Sequence, residues 1–295
     1  MRVFVTGATG FIGSAVVREL IEAGHQVVGL TRSDAGAQSL AAAGAQVHRG
    51  DLEDLESLRR GAAISDGVIH TAFNHDFSKF VANCEQDRKV IEAMGDVLVG
   101  SSRPLLITSG TGMGIAVPGH PATEDIFNPD HPNPRKASEE AGVSVAARGV
   151  NVSVVRLPQV HDPVKQGLIT PVIHLAREKG VSAYVGDGLN RWPAVHRLDA
   201  ARLYKLALDK HEAGSRYHAV AEEGISMREI AEAIGRGLKV PTVSLSPEDA
   251  AAHFGWLAMF AGFDMPALSA QTQKRLGWRP TGPGLIADLE RMRYF

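Results

Sequence analysis

Apolar and polar positions over the first 160 residues follow two patterns: short runs rich in Val, Ile and Leu, and longer stretches with apolar residues three or four apart. The short runs are typical of buried strands and the longer stretches of helices packed on a sheet. Strands are predicted at residues 2–5, 25–30, 45–50, 67–70, 105–109 and 150–157, with helices at 14–21, 51–58, 77–94 and 135–147. This alternation predicts an α/β fold of the Rossmann type, a doubly wound parallel sheet with helices on both faces.

The pattern changes beyond Pro158, where glycines and prolines interrupt shorter segments. Residues 194–199, which lead into a helix, and residues 217–220 are expected to return to the sheet domain. The remaining segments would form a smaller, discontinuous lobe that covers a substrate cleft at the carboxyl ends of the strands. The predicted division is a Rossmann domain at 1–160 with returns near 193–220, and a substrate-binding lobe at 161–192 and 221–295.

A glycine-rich turn joins the first strand to the first helix. Gly7 is placed to make the tight turn, Gly10 to let the backbone approach a pyrophosphate, and Gly13 to bring the helix close to the strand. The helix start offers unpaired N–H groups and partial positive charge to the phosphates. The motif predicts a dinucleotide site whose turn residues are Gly7, Thr9, Gly10, Phe11, Ile12 and Gly13.

The second strand ends on Thr31-Arg32-Ser33, where dinucleotide folds usually carry an acid for the ribose 2′-hydroxyl. A carboxylate would repel a 2′-phosphate, whereas the Arg32 guanidinium can bind it with two charge-assisted hydrogen bonds. Asp34 stands close enough in sequence to weaken this effect, and a solvated loop cation is the alternative interpretation of Arg32. The sequence predicts NADP(H) in preference to NAD(H).

The composition is ordinary for a water-soluble chain, with 44% apolar residues, 22% charged residues and a formal net charge of -2. The absence of a basic stripe argues against a nucleic-acid partner. Cys84 is the single cysteine, which excludes an internal disulfide and favours a reducing compartment. The chain starts on a strand, and the apolar run at 254–263 is too short to span a bilayer, so we expect a cytoplasmic protein without a membrane partner. The histidines and the cysteine show no metal-site spacing, so no metal is expected.

Several motifs together resemble the short-chain dehydrogenase/reductase superfamily, in particular its extended, epimerase-like branch. The turn at Gly7 matches that branch's Thr-Gly-x-x-Gly-x-x-Gly, and Asp51-Leu52 matches its acid-plus-apolar pair beside the adenine. His70-Thr71-Ala72 matches the segment that passes under the cofactor, and Ser109 matches the serine at the end of the fifth strand. The later strand and the docking helix match through Arg156-Leu157-Pro158 and residues 195–201. The resemblance implies further cofactor contacts at Asp51, Leu52, Thr71, Ala72, Lys136 and Pro158.

The catalytic residues that the resemblance implies are Ser109 and Lys136, but the family's tyrosine is missing. In the family a Tyr-x-x-x-Lys pair follows the fifth strand; the tyrosine passes a proton, and the lysine lowers the tyrosine's pKa and holds the nicotinamide ribose. This chain has Pro132 at the tyrosine's place, and Tyr184 is its first tyrosine. Asp87 replaces an asparagine that the family carries on the preceding helix. Either another group does the tyrosine's work or no redox chemistry occurs.

Three side chains are candidates for the missing proton donor: His75 after the fourth strand, His161 after the sixth strand, and Tyr184 in the lobe. Each also has a structural or surface interpretation, and water could protonate the alkoxide instead. Ser109 could donate a hydrogen bond to a carbonyl oxygen. Arg135 could take the role of Lys136.

We expect an NADP(H)-dependent oxidoreductase that reduces a carbonyl of a small organic substrate by hydride transfer. One alternative is a nucleotide-sugar epimerase or dehydratase, for which Arg191 and Arg197 could bind the diphosphate. An alternative from another functional class is a non-catalytic protein that senses NADP(H), since such a protein would lack the catalytic tyrosine. The protein partner that we include among these hypotheses is a second copy of the chain, which would form a homodimer.

Overall fold

The computed structural model describes residues 1–294 and has the predicted α/β fold of the Rossmann type. Phe295, the last residue of the predicted lobe, lies outside the described residues. The strands are β1 (Arg2–Thr6), β2 (Gln26–Thr31), β3 (Gln46–Arg49), β4 (Gly67–His70), β5 (Pro104–Gly110), β6 (Asn151–Leu157), β7 (Gln159–His161), β8 (Ser182–Val185), β9 (Arg191–His196), β10 (Arg216–His218), β11 (Glu222–Ser226) and β12 (Thr242–Leu245). A seven-stranded parallel sheet of order β10-β6-β5-β4-β1-β2-β3 forms the centre.

Helices cover both faces of this sheet, and further helices belong to the lobe. They are α1 (Gly13–Glu22), α2 (Asp34–Ala42), α3 (Leu55–Ala63), α4 (Phe80–Leu98), α5 (Lys136–Ala146), α6 (Ile169–Lys179), α7 (Arg197–Lys210), α8 (Met227–Leu238), α9 (Pro247–Phe254), α10 (Ala258–Ala261), α11 (Ala270–Leu276) and α12 (Leu285–Arg291). Val3 and Val5 pack in the core with α1 and α7, while Phe4, which points to the other face of β1, packs with α3, α4 and α5. None of these helices is long and apolar enough to cross a membrane.

The chain order reverses beside β1, which places a crevice at the carboxyl ends of β1 and β4. From β1 the sheet continues through β2 and β3 on one side, and through β4, β5 and β6 on the other. Thr6, the last residue of β1, is in register with His70, the last residue of β4. Open α/β sheets bind their ligands at this switch point.

Most of the segments after β6, but not α7 and β10, build a second core. Pro158 has no N–H for a strand ladder, and the chain leaves the large sheet at this residue. Strands β7, β9 and β11 form a small sheet of their own, and β8 pairs with β12. Of the two segments expected to return to the Rossmann domain, β10 joins the large sheet beside β6. The other contains the end of β9, which pairs in the small sheet, and its following helix, α7, packs on α1. Helices α6, α8, α9 and α12 surround Trp192 in the second core.

A buried ion pair ties α5 to β6. Arg156 of β6 donates from Nε and Nη2 to the two carboxylate oxygens of Glu139, each at 2.8 Å, and both side chains are fully buried. Arg156 also donates from Nη1 to Nε2 of His218 at 3.1 Å, and the opposite ring nitrogen lies 2.8 Å from the Leu268 carbonyl oxygen. Burial, with Arg156 nearby, lowers the pKa of His218 to about 3, so this histidine is neutral.

Candidate active site

The glycine turn is shaped by close backbone contacts that leave no room for side chains. Gly7 has φ +66°, and a Cβ there would lie 2.8 Å from the backbone nitrogen of Ala72. A Cβ on Gly13 would lie 2.1 Å from the carbonyl oxygen of Gly7. Thr71 fixes the facing segment by donating from Oγ1 to the Thr6 carbonyl oxygen at 2.7 Å. Thr71 and Ala72 therefore form the back wall of the turn.

The open side of the turn presents the start of α1. Thr9 and Gly10 are exposed, and Phe11 and Ile12 are partly buried. Helix α1 has no side-chain N-cap and no acidic residue in its first turn. The N–H groups of Ser14 and Ala15 already donate to the carbonyl oxygens of Gly10 and Ile12, each at 3.0 Å, whereas those at 11–13 form no backbone hydrogen bond within residues 1–294. These preceding N–H groups and the positive dipole end can therefore receive an anion, which is the arrangement that a dinucleotide pyrophosphate requires.

Two cations lie over Phe11: Lys165 from the lobe and Arg197 from the start of α7. The Arg197 guanidinium carbon is 4.9 Å from the Phe11 ring centroid, and the Lys165 Nζ is 5.7 Å from it. Arg197 is held by Asp162 at 3.2 Å and by the Ser14 hydroxyl at 2.9 Å. Within residues 1–294 the Lys165 ammonium pairs with no carboxylate. The sequence did not reveal Lys165 as a site residue, because only the packing of the lobe brings it to the turn.

The end of β2 carries Arg32 on an exposed segment. Its neighbour Asp34 is bonded at 2.6 Å to Arg49, which is in register with Thr31. Arg32 itself forms no ion pair with any residue in the described range 1–294. The carboxylate expected to weaken its positive charge is therefore engaged with a different arginine.

Asp51 and Leu52 lie in the loop that follows β3. The Asp51 Oδ1 accepts hydrogen bonds from the backbone N–H groups of Glu53 at 2.8 Å and Asp54 at 3.1 Å. The Leu52 carbonyl oxygen accepts a hydrogen bond from Gln86 at 2.6 Å, which ties the loop to α4. Asp51 thus shapes its own loop with one oxygen, and its Oδ2 accepts no hydrogen bond from these backbone groups.

A buried polar chain runs beneath the crevice from β1 to α5. Thr6 Oγ1 lies 2.6 Å from His70 Nδ1, His70 Nε2 lies 2.9 Å from Asp87 Oδ1, and Arg135 donates to Asp87 Oδ2 at 2.6 Å. Ser138 also donates to that oxygen at 2.6 Å. Burial by itself would raise the pKa of Asp87, but Arg135, His70 and Ser138 together hold it far below its ordinary value. Asp87 is therefore a permanent anion, which fixes the Arg135 guanidinium.

Ser109 and Arg135 come together at the carboxyl end of β5, and Lys136 points to the loop. The Ser109 hydroxyl is buried and has no hydrogen-bond partner in the described residues. Arg135 donates to the carbonyl oxygen of the adjacent Thr108 at 3.1 Å, and its guanidinium carbon lies 3.9 Å from the Phe73 ring centroid. Lys136, the first residue of α5, donates from Nζ to the Pro129 carbonyl oxygen at 2.7 Å.

Comparison with known proteins identifies the family. A family model described as the NAD-dependent epimerase/dehydratase family matches residues 3–221. The chain belongs to this family. An uncharacterized protein of Schizosaccharomyces pombe is 51% identical over 296 residues, covering 100% of both chains. The predicted resemblance to the epimerase-like branch is thereby confirmed.

Named relatives of this family member include both epimerases and reductases. The UDP-glucose 4-epimerase of Streptomyces lividans is 29% identical over 323 residues, covering 94% of this chain and 91% of that protein. The 2-alkyl-3-oxoalkanoate reductase of Stenotrophomonas maltophilia is 29% identical over 261 residues, covering 82% and 77%. The structure of DesIV, a dTDP-glucose 4,6-dehydratase of Streptomyces venezuelae with NAD and TYD bound, superposes with a TM-score of 0.78 at 21% identity over 100% of this chain and 96% of that one. The family supports a nicotinamide dinucleotide cofactor and oxidoreductase or epimerase chemistry.

The three candidate proton donors lie in different surroundings. His161 is fully buried, with Nδ1 2.7 Å from Asp288 Oδ2, and Tyr184 lies in the lobe below the Arg228 guanidinium. His75 is on the surface, yet its ring is partly shielded by the rings of Phe73 and Phe77. This shielding, followed by the charges of Arg135 and Lys165, lowers the His75 pKa. His75 is thus close to cations from both halves of the molecule.

Pro158 is partly buried between β6 and β7. Cys84 is buried in α4, and burial raises the pKa of its thiol to about 11, so it is not a reactive thiolate. Across residues 1–294 no group of three or more His, Cys, Asp or Glu side chains is placed to hold a metal ion.

Proposed function

We propose that the chain is an NADP(H)-dependent oxidoreductase that reduces the carbonyl group of a small organic substrate. The observation that carries the proposal is the buried Ser109 hydroxyl, which has no partner at the carboxyl end of β5. A buried hydroxyl without a hydrogen bond is costly, and a carbonyl oxygen of a bound substrate would satisfy it. The similarity to a 2-alkyl-3-oxoalkanoate reductase supports the same reaction class.

The residues around the crevice divide the work between binding and charge stabilisation. When bound, the reduced nicotinamide supplies a hydride for the carbonyl carbon. The turn residues Gly7 to Gly13 would hold the pyrophosphate, and Asp51 and Leu52 would hold the adenine.

Ser109 donates a hydrogen bond to the carbonyl oxygen as negative charge develops there. Lys136 would reach the ribose after exchanging its bond to the Pro129 carbonyl oxygen. The proton that completes the alcohol comes from His75 or from water.

Replacing Ser109 by Ala tests this role directly. We expect kcat/KM for a reducible ketone to fall by about 100-fold, because one donor to the developing oxyanion is lost. The Kd for NADPH should stay unchanged, since Ser109 serves the substrate oxygen. Assays of NADPH oxidation measure kcat/KM, and calorimetry measures the Kd for NADPH.

The matched control is Ser65→Ala. Ser65 is a buried serine just before the amino end of β4, and it already donates to the Gly61 carbonyl oxygen. Equal losses in the Ser65 and Ser109 variants would contradict the proposed role. Tight NADPH binding by the wild type without oxidation by any ketone would instead favour the sensing protein.

The preference for NADP(H) rests on Arg32. Its guanidinium is exposed and forms no ion pair within residues 1–294, while Asp34 is bonded to Arg49. Arg32→Ala should weaken NADP+ binding by about tenfold to a hundredfold and leave NAD+ binding unchanged. Arg148→Ala serves as control, because Arg148 follows α5 and pairs with Asp96 of α4, on elements other than β2. Equal affinity of the wild type for the two cofactors would refute the preference.

Nucleotide-sugar epimerisation or dehydration is the second candidate, and similarity to the UDP-glucose 4-epimerase favours it. The arginines that the sequence offered for a sugar diphosphate are engaged in this structure. Arg191 forms a two-point pair with Asp264, at 3.0 and 2.8 Å, and Arg197 is bonded to Asp162 and Ser14. Stabilisation by UDP-glucose in a thermal-shift screen would reverse the order of the two candidates.

A further inference from the structure

We propose that the substrate of this reductase is an apolar aromatic ketone, held by aromatic side chains that bridge the cleft between the Rossmann domain and the lobe. The inference rests on the proposed function and names its substrate class. The aromatic bridge is the set of rings from the segment after β4 and from the segment around α10: Phe73, His75, Phe77, Phe80, Trp256 and Phe260.

The Rossmann side of the aromatic bridge starts next to the reacting end of the site. Phe73 lies under the Arg135 guanidinium, and Arg135 is bonded to the Thr108 carbonyl oxygen beside Ser109. From Phe73 the ring contacts continue to Phe80, with centroids 6.2 Å apart and an interplanar angle of 78°. A substrate that places its carbonyl at Ser109 would therefore meet aromatic surface as its next neighbour.

The lobe closes the aromatic bridge from the other side. The rings of Phe77 and Trp256 are stacked, with centroids 4.5 Å apart and an interplanar angle of 12°, and Phe260 meets Phe77 edge-on at 6.4 Å. Trp256 keeps 43% of its surface exposed. A large ring that is only partly covered in the free protein gains contact area when a flat apolar ligand slides beside it.

A cavity of about 440 Å³ opens against the aromatic bridge, which is enough for a substrate of one or two rings. Its apolar lining consists of Phe77, Phe80, Val81, Ala82, Pro134 and Met259. Pro134, which lines the cavity, directly precedes Arg135 in the chain. Lys79 is the one cation among the residues that line it, which is too little charge to bind a diphosphate but compatible with a neutral ring.

The experiment compares two ketones with the full-length protein and saturating NADPH. We expect kcat/KM for acetophenone to exceed that for dihydroxyacetone by tenfold or more. Phe77→Ala and Trp256→Ala should each lower the acetophenone value by about tenfold, because a ring face is lost, and change the dihydroxyacetone value little. Trp256→Phe, which keeps a ring, should restore most of the preference.

The control is Val143→Ala, an exposed apolar residue on α5 outside the aromatic bridge, which should leave both values unchanged. An unchanged ratio of the two values in Phe77→Ala and Trp256→Ala would overturn the inference. A change in the sedimentation of these two variants, with that ratio unchanged, would also overturn the inference, because the aromatic surface would then be an interface between copies of the chain. Reduction of dihydroxyacetone but not of acetophenone would overturn it while leaving the proposed function intact.

Failure of the proposed function has a separate signature. If no ketone is reduced, calorimetric titration of the NADP+-loaded protein with 1-phenylethanol still tests the aromatic site. Binding that weakens by about tenfold in Trp256→Ala would support the aromatic occupant and reject the reductase. Absence of binding would reject both.

Discussion

Gly7→Ala is expected to weaken binding of the nicotinamide dinucleotide by about 100-fold or more, which corresponds to about 2.7 kcal/mol. The added Cβ would lie 2.8 Å from the Ala72 nitrogen and 2.9 Å from the Thr71 Oγ1, and neither can retreat because both belong to the back wall of the turn. The turn must then open, and the first N–H groups of α1 move away from the pyrophosphate position. Calorimetry with NADPH measures the loss.

The control for Gly7 is Gly24→Ala. Gly24 has φ +84°, so its replacement carries a similar left-handed backbone penalty of about 1 kcal/mol, but a Cβ there meets nothing within 4 Å. We expect this variant to lose stability without losing affinity for NADPH. Equal affinities of the Gly7 and Gly24 variants would show that the close approach to Ala72 does not shape the binding turn.

The nucleotide-binding half was predictable because its signals are local. The strand at 2–5, the spacing of Gly7, Gly10 and Gly13, and the helix that follows occupy consecutive positions, and each constrains its neighbours. The large parallel sheet follows from the alternation of strand and helix patterns. The return of residues 194–199 to the Rossmann domain stays a prediction: helix α7 packs on α1, while β9 pairs in the small sheet, and the local sequence does not specify that pairing.

The cleft itself could not be predicted, because its contacts join residues that are distant in sequence. Lys165 reaches Phe11, and Phe77 stacks on Trp256, only after the lobe has packed against the sheet. The apolar run at 254–263 contains Trp256, and its spacing carries no information about Phe77. Asp87 was singled out through the family's asparagine, but its bonds to His70 and Arg135 depend on three separate elements.

Glu139→Gln is expected to lower the free energy of unfolding by about 3–5 kcal/mol, the usual cost of breaking a buried ion pair from one side. The substitution keeps the shape of the side chain and leaves the fully buried Arg156 guanidinium without a countercharge. Arg216, which also reaches Glu139, at 3.2 Å, loses its partner as well. Urea unfolding followed by circular dichroism gives the change in stability.

The adjacent Glu140 provides a control with the same substitution in the same helix. Glu140 pairs with Arg88, with 33% and 27% of the two side chains exposed, and solvent-accessible pairs contribute about 0–1 kcal/mol. The contrast between Glu139→Gln and Glu140→Gln isolates the effect of burial, because residue type, helix and charge change are identical. A loss below about 1 kcal/mol in Glu139→Gln would mean that water reaches Arg156, and that α5 is not held to β6 by this pair. The same helix begins with Lys136 and follows directly on Arg135, so the stability of its anchor also determines how firmly the candidate active site is held.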